Sequence, residues 1–188
     1  MSKIQIDPVK RLRNSSLKGD FTFEITSTIA RPYSHLSRAT SLHDIQTVPA
    51  VERTKFYGGI DEDFSAAKDA AHRVVFALRE ENGTGNSVHG YAMAFVDWNN
   101  MVTLHDFAVS RELRGQGWGK KLFGEVVGWA REKSASGIRI ETQDNNVGAC
   151  RFYKAVGARF GGFDEFLYWG TEERGEVALY WYVLFDDQ

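Results

Sequence analysis

Residues 114–119 read R-G-Q-G-W-G and join an alternating apolar run, Met101 to Val109, to a stretch whose apolar residues recur every three to four positions. Alternation is the pattern of a strand and the longer recurrence that of a helix, so the glycine-rich loop connects a strand to a helix N-terminus. Gly115, Gly117 and Gly119 carry no Cβ, which lets successive backbone N–H groups turn into one concavity. In the helix that follows, Trp118, Leu122, Val126 and Trp129, with Phe123, Val127 and Ala130 beside them, form the apolar stripe; Lys120, Lys121, Glu125, Arg131 and Glu132 fall elsewhere. A helix start carries about half a positive elementary charge and favours acidic neighbours. This one has Arg114, Lys120 and Lys121, a crowding that makes sense if a phosphate group binds there. A solvated basic face with glycines as simple turn residues accounts for the same residues, and the loop alone does not choose between them. Spacing does exclude two phosphate loops. A dinucleotide fingerprint needs a glycine at Lys120, and a P-loop needs a glycine at Arg114 and a Ser or Thr at Lys121.

The chain has 188 residues, 43% hydrophobic and 26% charged, enough for one ordinary globular domain with a proper core. A formal net charge of −2 argues against a general nucleic-acid binder, and the basic cluster at Arg111, Arg114, Lys120 and Lys121 matches one phosphorylated cofactor better than a duplex. Cys150 is the single cysteine, so no intramolecular disulfide forms and a reducing, cytoplasmic setting is expected. Met1 to Gly19 is polar and basic without an apolar segment, which reads as neither signal peptide nor membrane anchor but as a flexible arm. The five histidines are scattered, and no Cys/His spacing suggests a metal site.

Residues 21–29 alternate as a strand. Residues 41–71 are mixed and read as helical in pieces, with Gly58-Gly59 as a break. Three strands are expected at 73–79, 88–97 and 101–109, separated by E-N-G-T-G-N and W-N-N turns. After the loop and its helix come a strand at 138–142, a helix at 147–156 closed by Gly157, and a final apolar strand at 176–185. The order implies an α/β fold: a mixed, mostly antiparallel twisted sheet with helices on both faces, forming a single domain over residues 20–188. Ligands of such sheets sit at strand ends where the chain reverses, and the loop at 114–119 is at such a place.

Two motifs in this order resemble those of the GNAT superfamily of acetyl-CoA-dependent N-acetyltransferases. Arg114, Gly117 and Gly119 match its pyrophosphate motif; Asn146, Ala149 and Tyr153 match its second motif. Within the superfamily, I-E-T-Q-D-N-N-V-G-A-C-R-F-Y at 140–153, G-G-F-D-E-F-L-Y at 161–168 and E-V-A-L-Y-W-Y-V-L-F at 176–185 resemble the streptothricin acetyltransferases. W-N-N at 98–100 and the acidic residues at 61–64 extend the likeness, which covers roughly residues 55–185. The chain departs from these relatives at His105, where an acidic residue is common, and at Gly157-Ala158, where they have Gly-Phe.

The resemblance implies acetyl-CoA as cosubstrate, no metal, and direct attack by an amine on the thioester. The loop residues Arg114, Gly115, Gln116, Gly117, Trp118, Gly119 and Lys120, with Asn146 and Ala149, are expected to hold the cofactor. Backbone groups of Phe107, Ala108 and Val109 are expected on a bulged strand facing the oxyanion and the pantetheine arm. Tyr153 becomes the acid for the thiolate; by periodicity alone it is one apolar face of a core helix. A primary amine has a pKa of about 10.4 and needs a base, for which Glu141 is the first choice and Asp106 the second, with His105 as a substitute. Asp164, Glu165 and Glu176 would steer a small cationic amine such as the β-lysyl group of streptothricin, or else form a solvated edge. Tyr168, Trp169, Trp181 and Tyr182 line either the acceptor pocket or the interface of a homodimer. Cys150 reads as packing, with an acetyl-cysteine route as the minor alternative.

Overall fold

The computed structural model describes residues 4–56, 61–63, 70–80 and 87–185. In chain order its strands are β1 (Ile4–Pro8), β2 (Arg11–Arg13), β3 (Thr22–Ile29), β4 (Thr47–Phe56), β5 (Asp61–Asp63), β6 (Arg73–Glu80), β7 (Val88–Val96), β8 (Val102–Val109), β9 (Gly137–Gln143), β10 (Arg159–Asp164) and β11 (Ala178–Leu184). The helices are α1 (Ser34–Arg38), α2 (Trp118–Glu132) and α3 (Val147–Ala155). The chain divides into two compact units, residues 1–23 with 56–136 and residues 24–55 with 137–188.

In the first unit the three alternating runs fold as the antiparallel meander β6–β7–β8, with β1 added antiparallel at the β6 edge. The pleat sends alternate residues to opposite faces. Val75, Ala77, Tyr91 and Met93 belong to a buried cluster with Leu12, Phe21, Val88 and Ala108. The alternate residues Phe76, Leu78, Ala92 and Ala94 are buried too, so both faces are covered. Helix α2 packs against β6, β7 and β8 through Leu122, Phe123, Val126 and Ala130, the stripe its periodicity marks out.

The N-terminal segment differs from the expected flexible arm. Beyond the β1 pairing, Val9 N–H donates to Val75 O at 2.8 Å, Lys18 N–H donates to Val88 O at 2.8 Å, and Leu12 is 1% exposed in the core. Its apolar residues are spaced singly among charges, which hides a strand-and-anchor segment from a reading based on average polarity.

In the second unit β9, β11 and β10 pair antiparallel in that order. Ile138, Ile140, Leu179 and Trp181 are fully buried, and the indole Nε1 of Trp181 donates to Thr142 Oγ1 at 3.1 Å. Strand β10 has no clear sequence signal because Gly161 and Gly162 interrupt it, with a register shift between Phe160 and Gly162. Gly161 is required: a Cβ there would lie 2.3 Å from the Tyr182 ring. Residues 41–71 correct another expectation. Thr47–Phe56 is not helical but a ten-residue strand paired with β3, as suits its β-branched Thr47, Val48, Val51 and Thr54. The Gly58-Gly59 break and the E-N-G-T-G-N turn lie outside the described residues. Within each unit the main strands pair antiparallel and helices pack on them, as the mixed α/β class requires.

If the N-terminal segment is part of the core, Leu12→Ala should destabilise the protein by about 2–4 kcal/mol in a urea titration. A loss below about 0.5 kcal/mol, the range of surface substitutions, would return the segment to the status of a loose arm.

Candidate functional site

Strand β8 leads into a tight 3-10 turn, Arg111–Leu113, and then the glycine loop. Gly115 and Gly117 have φ of +73° and +85°, the left-handed region in which L side chains are strained. A Cβ at either would meet nothing within 4 Å, so glycine serves backbone handedness here and the space in front of the loop is open. Gly117 is the N-cap of α2, no side chain caps it, and no acidic residue lies in the first turn. The first-turn N–H groups have no intrahelical partner by geometry, so this helix start offers donors and a positive dipole end without a built-in anion.

Arg114 is spent on building the loop. Its Nε donates to Val109 O at 2.9 Å and its Nη1 to Thr22 O at 2.8 Å, and burial pushes the guanidinium pKa below its usual value. Gln116 likewise donates through Nε2 to Glu112 O at 2.6 Å. Both therefore shape the loop with their side chains and leave its backbone to a ligand. Lys120 is exposed, and the Lys121 ammonium lies 4.2 Å from the Trp118 ring centroid.

The bulge expected in β8 is present, and it falls at His105. Met93 pairs with Asp106 and Ala94 with Leu104, leaving His105 as the extra residue. His105 is exposed and lies against Phe95, with ring centroids 5.9 Å apart. Next to it the half-buried Asp106 accepts from Tyr91 Oη at 3.3 Å, and burial raises its carboxyl pKa above the ordinary value. Ala108 and Val109 are buried, and Phe107 is edge-on to Phe123. The first unit thus places Asp106, Phe107, Ala108 and Val109 directly before the loop.

The second unit holds the other motif. Asn146 caps α3: its Oδ1 accepts the Ala149 N–H at 3.1 Å, which explains the Asn and Ala spacing as helix chemistry. One turn on, Tyr153 is 5% exposed with its ring edge-on to Phe152. Cys150 on the same helix is fully buried beside Thr142, and burial raises its thiol pKa to about 12. A thiol of that kind is not a nucleophile at neutral pH, which corrects the acetyl-cysteine alternative.

Glu141, on β9, is exposed and accepts a 2.6 Å hydrogen bond from Tyr168 Oη. Sequence reasoning found the glutamate and missed this partner's role, because the two are 27 residues apart and no local spacing joins them. It also missed Asp144, which is buried, accepts from Tyr33 Oη at 3.0 Å and from the Val177 N–H at 3.2 Å.

The acidic trio expected to steer a cation behaves differently residue by residue. Glu176 is 5% exposed and is held by Arg53 at 2.8 Å and Lys55 at 2.9 Å, so it is a buried structural anion. Glu165 forms an ion pair with Arg31. Asp164 accepts the Phe166 N–H at 2.8 Å and, with Glu141, raises the pKa of Tyr180 after burial, which is the larger cause. Trp181 belongs to the core, whereas Trp169 is exposed and stacked 3.9 Å from the Arg174 guanidinium. Among the described residues no group of three or more His, Cys, Asp or Glu side chains could hold a metal ion, and no helix is long and apolar enough to cross a membrane.

The family model described as the acetyltransferase (GNAT) family matches residues 39–158. Streptothricin acetyltransferase A of Bacillus subtilis is 35% identical over 89 residues, 47% of this chain and 51% of that protein. The streptothricin acetyltransferase of Streptomyces lavendulae is 34% identical over 125 residues, 65% of this chain and 64% of that protein. The chain thus matches from about half to just under two thirds of the length of these relatives. A Bacillus anthracis structure assigned as a streptothricin acetyltransferase, in complex with acetyl coenzyme A, superposes with a TM-score of 0.76 at 26% identity, covering 97% of this chain and 100% of that one.

The buried thiol gives a direct measurement. Cys150 in the folded protein should react with Ellman's reagent at pH 8 at least ~100-fold more slowly than in guanidinium, because the thiolate fraction and access are both suppressed. Equal rates in the two conditions would mean an accessible thiolate and would bring the covalent route back.

Proposed function

Because the chain belongs to the acetyltransferase (GNAT) family, we propose that it carries acetyl from acetyl-CoA to a primary amine by direct attack, and that the amine is the β-lysyl group of streptothricin. The observation that carries the cofactor half is the helix start at Gly117, with two left-handed glycines, no side-chain cap and no acid in its first turn. Its donors, from Gly115 to Lys120, receive the pyrophosphate. Arg114 keeps them converged.

Bound acetyl-CoA supplies an activated thioester and a good leaving group. The rest of the chemistry falls to the chain. Backbone groups of the Phe107, Ala108 and Val109 stretch, which follows the His105 bulge, are assigned to the charge that develops on the thioester oxygen and to the pantetheine arm. Glu141 takes one proton from the incoming ammonium, since only the neutral amine is a nucleophile. Tyr153 gives its proton to the departing thiolate and recovers one from the nitrogen as the amide forms. Ammonium and thioester thereby become amide, free CoA and one released proton. Asp106, with its raised pKa, is the second candidate for the base. Asn146 and Ala149 support the pantetheine arm through the start of α3.

Compensation of Glu165 and Glu176 favours a second reading of the acceptor. With those charges paired, Asp164 and Glu141 are left to attract a cation, which suits any small amine, a protein lysine or an N-terminus as well as a polycation. A panel assay separates the readings. Purified protein with acetyl-CoA should add a single acetyl mass to streptothricin, and expression in a sensitive bacterium should raise its tolerance. Efficient turnover of another amine with no change to streptothricin would overturn the acceptor assignment. CoA binding without turnover of any amine would make the protein a sensor.

The cofactor assignment has its own test. Gly119→Val puts a branched side chain at the second residue of α2, where backbone must meet pyrophosphate, so acetyl-CoA affinity should fall by roughly 100-fold or more in calorimetry with the melting curve retained. Wild-type affinity would remove the loop from the cofactor site.

A further inference from the structure

Tyr168 lies on the segment between β10 and β11, outside both sequence motifs, yet its hydroxyl sits between two side chains of β9. Gln143 Nε2 donates to Tyr168 Oη at 3.0 Å, and Tyr168 Oη donates to Glu141 Oε1 at 2.6 Å. The direction follows from the chemistry of the groups. An amide NH2 only donates and a carboxylate only accepts, so the tyrosine oxygen takes the Gln143 hydrogen and its own proton points at Glu141. Bonds to an ionised acceptor are the short and strong ones, and 2.6 Å is at the short end for an O–H donor.

The segment that carries Tyr168 is built to hold it still. Asp164 Oδ1 accepts the Phe166 N–H at 2.8 Å, the Trp169 N–H donates to Phe166 O at 3.0 Å, and the Tyr168 carbonyl accepts both the Thr171 N–H and its hydroxyl at 3.1 Å. Glu165 is tied to Arg31, Phe166 packs edge-on to Trp169, and Arg174 stacks on Trp169. Opposite Glu141 on β11 stands Tyr180, which leaves the glutamate flanked by two phenol rings on the polar side of the strands. These turns, the ion pair and the cation–π contact surround a half-buried tyrosine and serve little packing purpose, since Phe166 and Trp169 remain 67% and 57% exposed.

We propose that Tyr168 is the positioning residue for the general base, locking the Glu141 carboxylate in one orientation through the Gln143–Tyr168–Glu141 hydrogen-bond chain so that its other oxygen meets the acceptor ammonium. The inference rests on the reading of Glu141 as the base. Tyr168 touches neither the amine nor the thioester and moves no proton in the net reaction. Losing its hydroxyl lets an exposed carboxylate sample several rotamers, only one of which is productive, and misplacement of a base lowers turnover more than ground-state binding.

A double-mutant cycle on the full chain tests this with whichever amine the panel assay shows to be turned over. Tyr168→Phe should lower kcat by about 10- to 100-fold with the acceptor KM within about twofold and the melting temperature unchanged. Glu141→Gln should lower kcat by roughly 10²–10⁴-fold. The double variant should be no slower than Glu141→Gln alone, because Tyr168 acts only through the carboxylate. If the two losses multiply, or if Tyr168→Phe turns over at the wild-type rate, the positioning role is overturned while Glu141 stands as the base. Wild-type kcat in Glu141→Gln would instead overturn the base reading, and the positioning role with it, leaving acetyl transfer itself untouched.

Discussion

The Arg114 guanidinium, fixed on the carbonyl oxygens of Val109 and Thr22, holds together the end of β8 and the loop that follows. Two glycines in the left-handed region would otherwise leave that loop free to wander, at an ordering cost of about 1–2 kcal/mol per residue. A hydrogen bond from a charged group to a partly buried carbonyl contributes about 1.5–3 kcal/mol, which applies to the one on Val109 O; the one on Thr22 O is exposed and contributes less. The clamp therefore offsets part of the glycines' freedom before any ligand arrives. An arginine that gave its charge to the ligand instead would leave the loop to be ordered at binding, with a loss of affinity.

The second unit is organised by charge compensation. Glu176 is buried, so its carboxylate is tolerable only because Arg53 and Lys55 on β4 close on it from either oxygen. Asp144 is satisfied by Tyr33 and the Val177 N–H, and burial with that carboxylate pushes the Tyr33 phenol pKa up to about 12. These pairs join β4 and the Tyr33 segment to the chain just after β9 and just before β11. They also decide which acidic residues stay available to an incoming cation. Counting carboxylates in the sequence overstates the attraction, because two of the three C-terminal ones are already matched by basic residues more than 100 positions earlier.

Elements with strong periodicity were legible: β6, β7, β8, α2, β9 and α3 lie within a residue or two of where alternation and helical recurrence put them. The glycine loop was legible because handedness demands a particular residue type at Gly115 and Gly117. What stayed hidden depends on partners distant in sequence. Leu12 looks like a lone apolar residue between two arginines until Phe21 and Tyr91 pack around it. β10 is broken by two glycines, of which Gly161 makes room for the Tyr182 ring, a reason that lies 21 positions away and carries no local signature. The motif at Asn146 and Ala149 shows the reverse case. Its spacing is visible in sequence as a family mark, and the structure supplies the physical cause, a helix cap.

The two candidate bases differ in how an ammonium can reach them. Asp106 follows a bulge, is half-buried under Tyr91, and has a raised pKa because burial disfavours its charge. On proton affinity alone a carboxyl displaced upward is the better base near neutral pH. Its burial, however, requires the amine to shed water before the proton moves, and the penalty for taking an ion out of water is several kcal/mol even after relaxation. Glu141 is exposed, so a hydrated ammonium can meet it at little cost, and Tyr168 holds its carboxylate in a defined orientation. For an acceptor that arrives charged, access and orientation are what favour Glu141 for the first proton transfer of the proposed reaction, with Asp106 the second candidate.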